Sequence, residues 1–237
     1  MGPRNDNPSG FARSVEIGSY RKLADAFTIY SVNRRAGLPP GVTMAEIAAG
    51  HADAIKEISG EPVDVLGLST GGSVALQLAA DHPGVISRLV VAGAALRLGP
   101  LGRTAQAEFA DRALGGRRAL PPLASVLAEK RISQAALRGI LWLASPSPRR
   151  YHPADTVAVL RAEDAFDLTG RLSDITAPTL VIGGAKDRSY SPDLFRATAD
   201  GVAGGHLVLL AGRGHLGTFT DRRFIPTVRG FLGAGQR

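Results

Sequence analysis

Short apolar runs alternate along this chain with longer stretches whose apolar residues recur at helical spacing. That alternation is the signature of a parallel sheet wrapped by helices. Five runs read as strands: Phe27–Val32, Val63–Leu68, Ile86–Val91, Thr179–Ile182 and His206–Leu210. Between the first two, Thr43 with Glu46 three residues later forms a capping box. Met44, Ile47, Ala48, His51, Ala54, Ile55 and Ile58 follow on one helical face, and Gly60 closes the segment. A second helix is expected from Gly71 to Asp81, stopped by Pro83. A third should start at Ser191-Pro192, which has the form of an N-cap with proline in the first helical position. A closing helix is expected from Arg223 to Leu232.

The pattern changes between Leu98 and Leu172. Helical segments at Leu123–Lys130 and Ala135–Leu143 are set among Pro121-Pro122 and Ser145-Pro146-Ser147-Pro148, and no run reads as a strand. We read residues 98–171 as a helical cap inserted into one α/β domain spanning 1–237.

Composition narrows the class. The 237 residues are 44% hydrophobic and 21% charged, enough for a sizeable core. With no cysteine there is no disulfide framework, cysteine-ligated metal or cysteine nucleophile. No apolar run reaches membrane-spanning length, and Met1 to Pro8 holds no signal-peptide core, so a cytoplasmic location is expected. The net charge of +7 comes from scattered pairs such as Arg34-Arg35, Arg117-Arg118, Arg149-Arg150 and Arg222-Arg223. With aromatics at 5%, this reads as a solvated basic surface rather than a nucleic-acid site.

The candidate chemistry sits at Gly67-Leu68-Ser69-Thr70-Gly71, a G-x-S-x-G turn between a strand and a helix. Such a turn lifts a serine hydroxyl above the sheet edge, and flanking glycines let strand and helix approach. The Thr70 backbone N–H beside it is a candidate oxyanion donor. Phosphate-loop readings fit poorly. No lysine follows Gly72, and the turn does not open the first helix of a dinucleotide fold.

Serine needs a base. Of five histidines, His51 lies on an apolar helix face, His82 ends a helix, His206 opens a strand and His152 lies in the cap. His215, in Gly212-Arg213-Gly214-His215-Leu216-Gly217, follows the last strand as a loop residue and is the candidate base. Asp187, after Thr179–Ile182, is the candidate acid to orient it. Asp193 is the runner-up, better explained by a helix N-terminus. Trp142, Leu143, Tyr151 and Phe166 are candidates to line an apolar acyl pocket, although such residues more often pack cap helices.

These residues resemble the α/β-hydrolase superfamily, especially bacterial carboxylesterase-like members with a helical cap. The resemblance rests on Gly67–Gly72, on Ala177-Pro178-Thr179-Leu180-Val181-Ile182-Gly183-Gly184 with Asp187, on Gly214-His215 and on Asp81–Val90. It covers Phe27 to the C-terminus and weakens across the cap. It implies hydrolysis of a small-molecule carboxylic ester or thioester through an acyl-enzyme, with no metal and no organic cofactor. Carbon–carbon bond hydrolases and cofactor-free haloperoxidases share the constellation, and a non-catalytic binding protein on the same fold is the other reading. The family's first three strands have no counterpart in the 26 residues before Phe27. Asn5–Gly10 is similar to the loop after the family's oxyanion turn, so the resemblance implies an N-terminally truncated fold with one oxyanion donor lost. The Val63 strand is then expected to lack a partner on the side facing Phe27.

Overall fold

The computed structural model describes residues 10–128, 130–145 and 153–233. Helix α1 (Gly10–Ala24) and α2 (Met44–Ile58) precede β1 (Val63–Leu68), α3 (Thr70–Asp81) and β2 (Ile86–Ala92). Then come α4 (Pro100–Leu114), α5 (Ala124–Leu127), α6 (Arg131–Ala144) and α7 (Ala154–Ala165). The chain returns to the sheet as β3 (Thr179–Gly184), α8 (Pro192–Gly201), β4 (Gly205–Leu210), α9 (His215–Thr220) and α10 (Phe224–Gly233). Among the described residues, four strands form one parallel sheet in the order β1-β2-β3-β4.

The central strands are continuous apolar runs because helices cover both faces. Leu89, Val91 and Val181 pack with α2, α3 and α8 in the larger core. Their neighbours Val90, Ala92, Leu180 and Ile182 point the other way, against Leu210, α10 and Leu23 of α1. The capping box expected at α2 is formed: Glu46 N–H donates to Thr43 Oγ1 at 3.2 Å, and Thr43 N–H donates to Glu46 Oε2 at 2.7 Å. Ser191 caps α8 through the Leu194 N–H.

Three expectations need correction. Phe27–Val32 is not a strand. Residues 28–35 carry no regular structure, and Ile29, Tyr30 and Val32 are exposed. A β-prone sequence becomes a strand only where a neighbour supplies the ladder. Among the described residues β1 pairs with β2 alone, leaving its other side without a ladder partner. Second, Gly10–Ala24 forms a helix where no element was read, since Leu23 supplies its buried contact while Val15 and Ile17 face out. Third, among its described residues Leu123–Lys130 yields only the end of a 3₁₀ turn (Pro121–Leu123) and the single turn α5, because Ala128 adopts extended backbone (φ −132°, ψ 142°).

Between β2 and β3, the described residues of 100–165 are helical wherever they have regular structure. The chain leaves and re-enters the sheet side by side: Arg97 and Asp167 form an isolated antiparallel bridge, and Leu168 N–H donates to Leu96 O at 2.9 Å. Helices α4 and α7 share a small core of Phe109, Ala110, Ala113, Ala119 and Val157. Helix α7 also sends Ala158, Val159 and Ala162 into the larger core.

Candidate active site

Ser69, Asp187 and His215 come from three separate segments that follow the carboxyl ends of β1, β3 and β4. Ser69 is the one non-glycine residue with positive φ among the described residues (φ 51°, ψ −127°). The turn is pinned: Ser69 N–H donates to Ala92 O at 2.8 Å, and Gly72 N–H donates to Ser69 O at 2.6 Å. A Cβ at Gly67 would lie 2.6 Å from Gly71 O and 2.7 Å from the Ala75 Cβ. One at Gly72 would lie 2.6 Å from the Ala94 Cβ. Gly71 itself faces open space. The close approach of strand and helix therefore depends on Gly67 and Gly72, not on the second glycine of the motif.

Asp187 is buried after β3. Its Oδ1 accepts from the backbone N–H groups of Ser189 (2.8 Å) and Tyr190 (3.2 Å), and its Oδ2 lies 2.8 Å from His215 Nδ1. An ionised Asp187 accepts the Nδ1 proton, leaving Nε2 as the acceptor. His215 Nε2 lies 2.9 Å from Ser69 Oγ. His215 is not a loop residue as expected but the first residue of α9. Lys186 N–H donates to Arg213 O at 2.8 Å and ties this loop to the one bearing Asp187. The imidazole sits edge-on to Phe219 (5.4 Å between centroids) and near-parallel to Tyr190 (6.2 Å, 20°). Gly93, with φ +60°, leaves the room: a Cβ there would lie 2.7 Å from the Phe219 ring.

As first residue of α3, Thr70 has a backbone N–H with no intrahelical acceptor. Asp193 lies in the first turn of α8 and does not partner His215. His51 Nδ1 is 2.9 Å from Ile47 O, His82 is the C-cap of α3, and His206 is exposed on β4 against Phe231. His152, Tyr151 and residues 5–9 of the compared oxyanion loop lie outside the described residues. Of the candidate acyl-pocket residues, the three described ones are dispersed. Phe166 is buried in the larger core, while Trp142 and Leu143 are exposed on α6, with the Arg118 guanidinium 4.0 Å from the Trp142 ring centroid. The reason is that α6 packs through a narrow face and buries none of its residues.

One group beneath the turn escaped the sequence reading. Glu163 of α7 is fully buried. Its Oε2 accepts from Thr70 Oγ1 (2.9 Å) and Gln106 Nε2 (2.8 Å), and its Oε1 from Ser73 Oγ (2.8 Å) and the Tyr190 hydroxyl (3.1 Å). Burial, then the nearby Glu163 charge, push the Tyr190 phenol well above its ordinary value and keep it a donor. The available signal was a carboxylate at i+4 from Val159 and i−3 from Phe166, on the apolar face of its helix.

Residues 6–226 match the model of the alpha/beta hydrolase family. The chain belongs to that family. Its relatives include "Putative non-heme bromoperoxidase BpoC" of Mycobacterium tuberculosis, 30% identical over 200 residues, covering 79% of this chain and 74% of the relative. "Putative carbamate hydrolase RutD" of Klebsiella pneumoniae is 27% identical over 208 residues, covering 81% and 73%. Among solved structures, a hydrolase from Pseudomonas aeruginosa superposes with a TM-score of 0.68 at 26% identity, covering 93% of this chain and 85% of that one. This alpha/beta hydrolase is thus an enzyme by kinship, with a parallel sheet flanked by helices as the family has. No helix among the described residues is long and apolar enough to cross a membrane.

Proposed function

We propose that this alpha/beta hydrolase cleaves a small-molecule carboxylic ester or thioester with Ser69 as nucleophile, His215 as general base and Asp187 as the group that orients it. The observation that carries the reading is the unbroken contact chain Ser69 Oγ–His215 Nε2–Asp187, at 2.9 and 2.8 Å. His215 takes the hydroxyl proton as Ser69 Oγ bonds to the carbonyl carbon. Thr70 N–H donates to the oxygen that gains charge. His215 then protonates the leaving alkoxide or thiolate, giving an acyl-enzyme. Water, deprotonated by the same imidazole, adds to the acyl carbon; the bond to Ser69 Oγ breaks, His215 returns the proton to Oγ, and the acid leaves.

Residues 98–171, proposed as the helical cap, leave and rejoin the sheet beside the Arg97–Asp167 bridge. The names of the relatives add carbamate hydrolysis and bromoperoxidase activity as arms of the same screen. The test is hydrolysis of p-nitrophenyl esters of increasing acyl length. Ser69→Ala and His215→Ala should each lower kcat by roughly 10⁶, and Asp187→Asn by roughly 10⁴. Turnover retained in Ser69→Ala overturns the reading.

A further inference from the structure

A charged group with no exposure is costly unless its hydrogen bonds are complete. Glu163 has no exposure, and its four partners are two hydroxyls, an amide and a phenol, none of them a cation. An ionised carboxylate is acceptor-only, and four donors converging on two oxygens fit that state. The amide nitrogen of Gln106 faces the carboxylate while its own oxygen has no partner, which is the orientation an anion selects.

The partners matter more than their number. Thr70 follows the nucleophile, and its N–H is the oxyanion donor of the proposed reaction. Ser73 lies one turn further along the same helix. Tyr190 donates its backbone N–H to Asp187 and lays its ring near-parallel to His215. One carboxylate, carried on a helix from between β2 and β3, therefore touches both the nucleophile turn and the acid loop.

We propose that Glu163 is a positioning residue. It holds Thr70 and Tyr190 so that the oxyanion donor and the imidazole meet the substrate carbonyl together. The inference rests on the nucleophile reading above. A misplacement of about 1 Å in such a site costs up to about a hundredfold in rate. The isosteric Glu163→Gln puts an amide nitrogen where only acceptors serve, so at least one tether fails.

The experiment compares wild type with Glu163→Gln, active sites being titrated with a fluorophosphonate. The expected variant is folded by circular dichroism and labels Ser69 about tenfold more slowly. Its kcat per titrated site falls about ten- to a hundredfold, with KM within about twofold. A merely structural glutamate would lower the melting temperature and leave kcat per titrated site unchanged. That result, or a change in KM alone, overturns the proposal. If Glu163→Gln does not fold, Tyr190→Phe decides: about threefold or more lost from kcat supports it, and an unchanged kcat overturns it. A wild-type protein that neither labels nor hydrolyses overturns the nucleophile reading and this one with it. A labelled wild type beside an equally fast Glu163→Gln overturns this one alone.

Discussion

Ser69 shows how a single residue stores the site's geometry. Its positive φ is strained for any residue with a Cβ, at a cost of about 1–3 kcal/mol. Ser69→Gly should therefore melt higher than Ser69→Ala while both are inactive, as calorimetry at neutral pH can check. The glycines around it are not equivalent. Gly67→Ala drives a Cβ into Gly71 O and Ala75, an overpacking worth about 1–3 kcal/mol, whereas Gly71→Ala meets open space. Thermal melts of the pair should separate them clearly; equal melting temperatures would contradict the turn as described. The strand-turn-helix context of the motif was legible from the apolar run before it and the helical spacing after it. Which glycine does the work was not, because that depends on Ala75 and Ala94, residues brought near only by the fold.

Between His215 and α10 the chain forms a clamp. Asp221 accepts from Arg223 and Arg213, two residues before His215. Its hydrogen bonds to Arg223 and then Arg213 hold its carboxyl well below the ordinary carboxylate value of 3.8. A depressed folded pKa gives stability that is present above the unfolded value and lost as pH falls through the folded one. The melting-temperature gap between wild type and Asp221→Asn should thus be steady from neutral pH to about 5, and shrink below about 4 as the free carboxylate range is crossed. A gap that widens on acidification would contradict the assignment. Helix α2 was legible from its capping box and its buried stripe of Met44, Ile47 and Ala48. The residues between β2 and β3 were legible only as helical. Their packing is decided by partners far along the chain: Phe166 joins the larger core, Trp142 stays outside, and Glu163 reaches Thr70 and Ser73 on α3. No local pattern encodes those distances.

Across the whole molecule, the parallel strands β1 to β4 in sequence order bring the segments after β1, β3 and β4 to one edge of the sheet. Residues 146 positions apart, Ser69 and His215, meet there. That convergence could be anticipated because β2 and β3 are apolar on both faces and so must be central. The segment Phe27–Val32 misled because propensity does not reveal whether a ladder partner stands beside it; the open side of β1 is the structural counterpart. The central claim is that this fold turns Ser69 into a nucleophile. Intact-protein and peptide mass spectrometry after exposure to a fluorophosphonate tests it most directly. The account predicts a single adduct on the peptide carrying Ser69, absent from Ser69→Ala and formed orders of magnitude more slowly in His215→Ala. An unmodified wild-type protein, or an adduct that persists in Ser69→Ala, would contradict it.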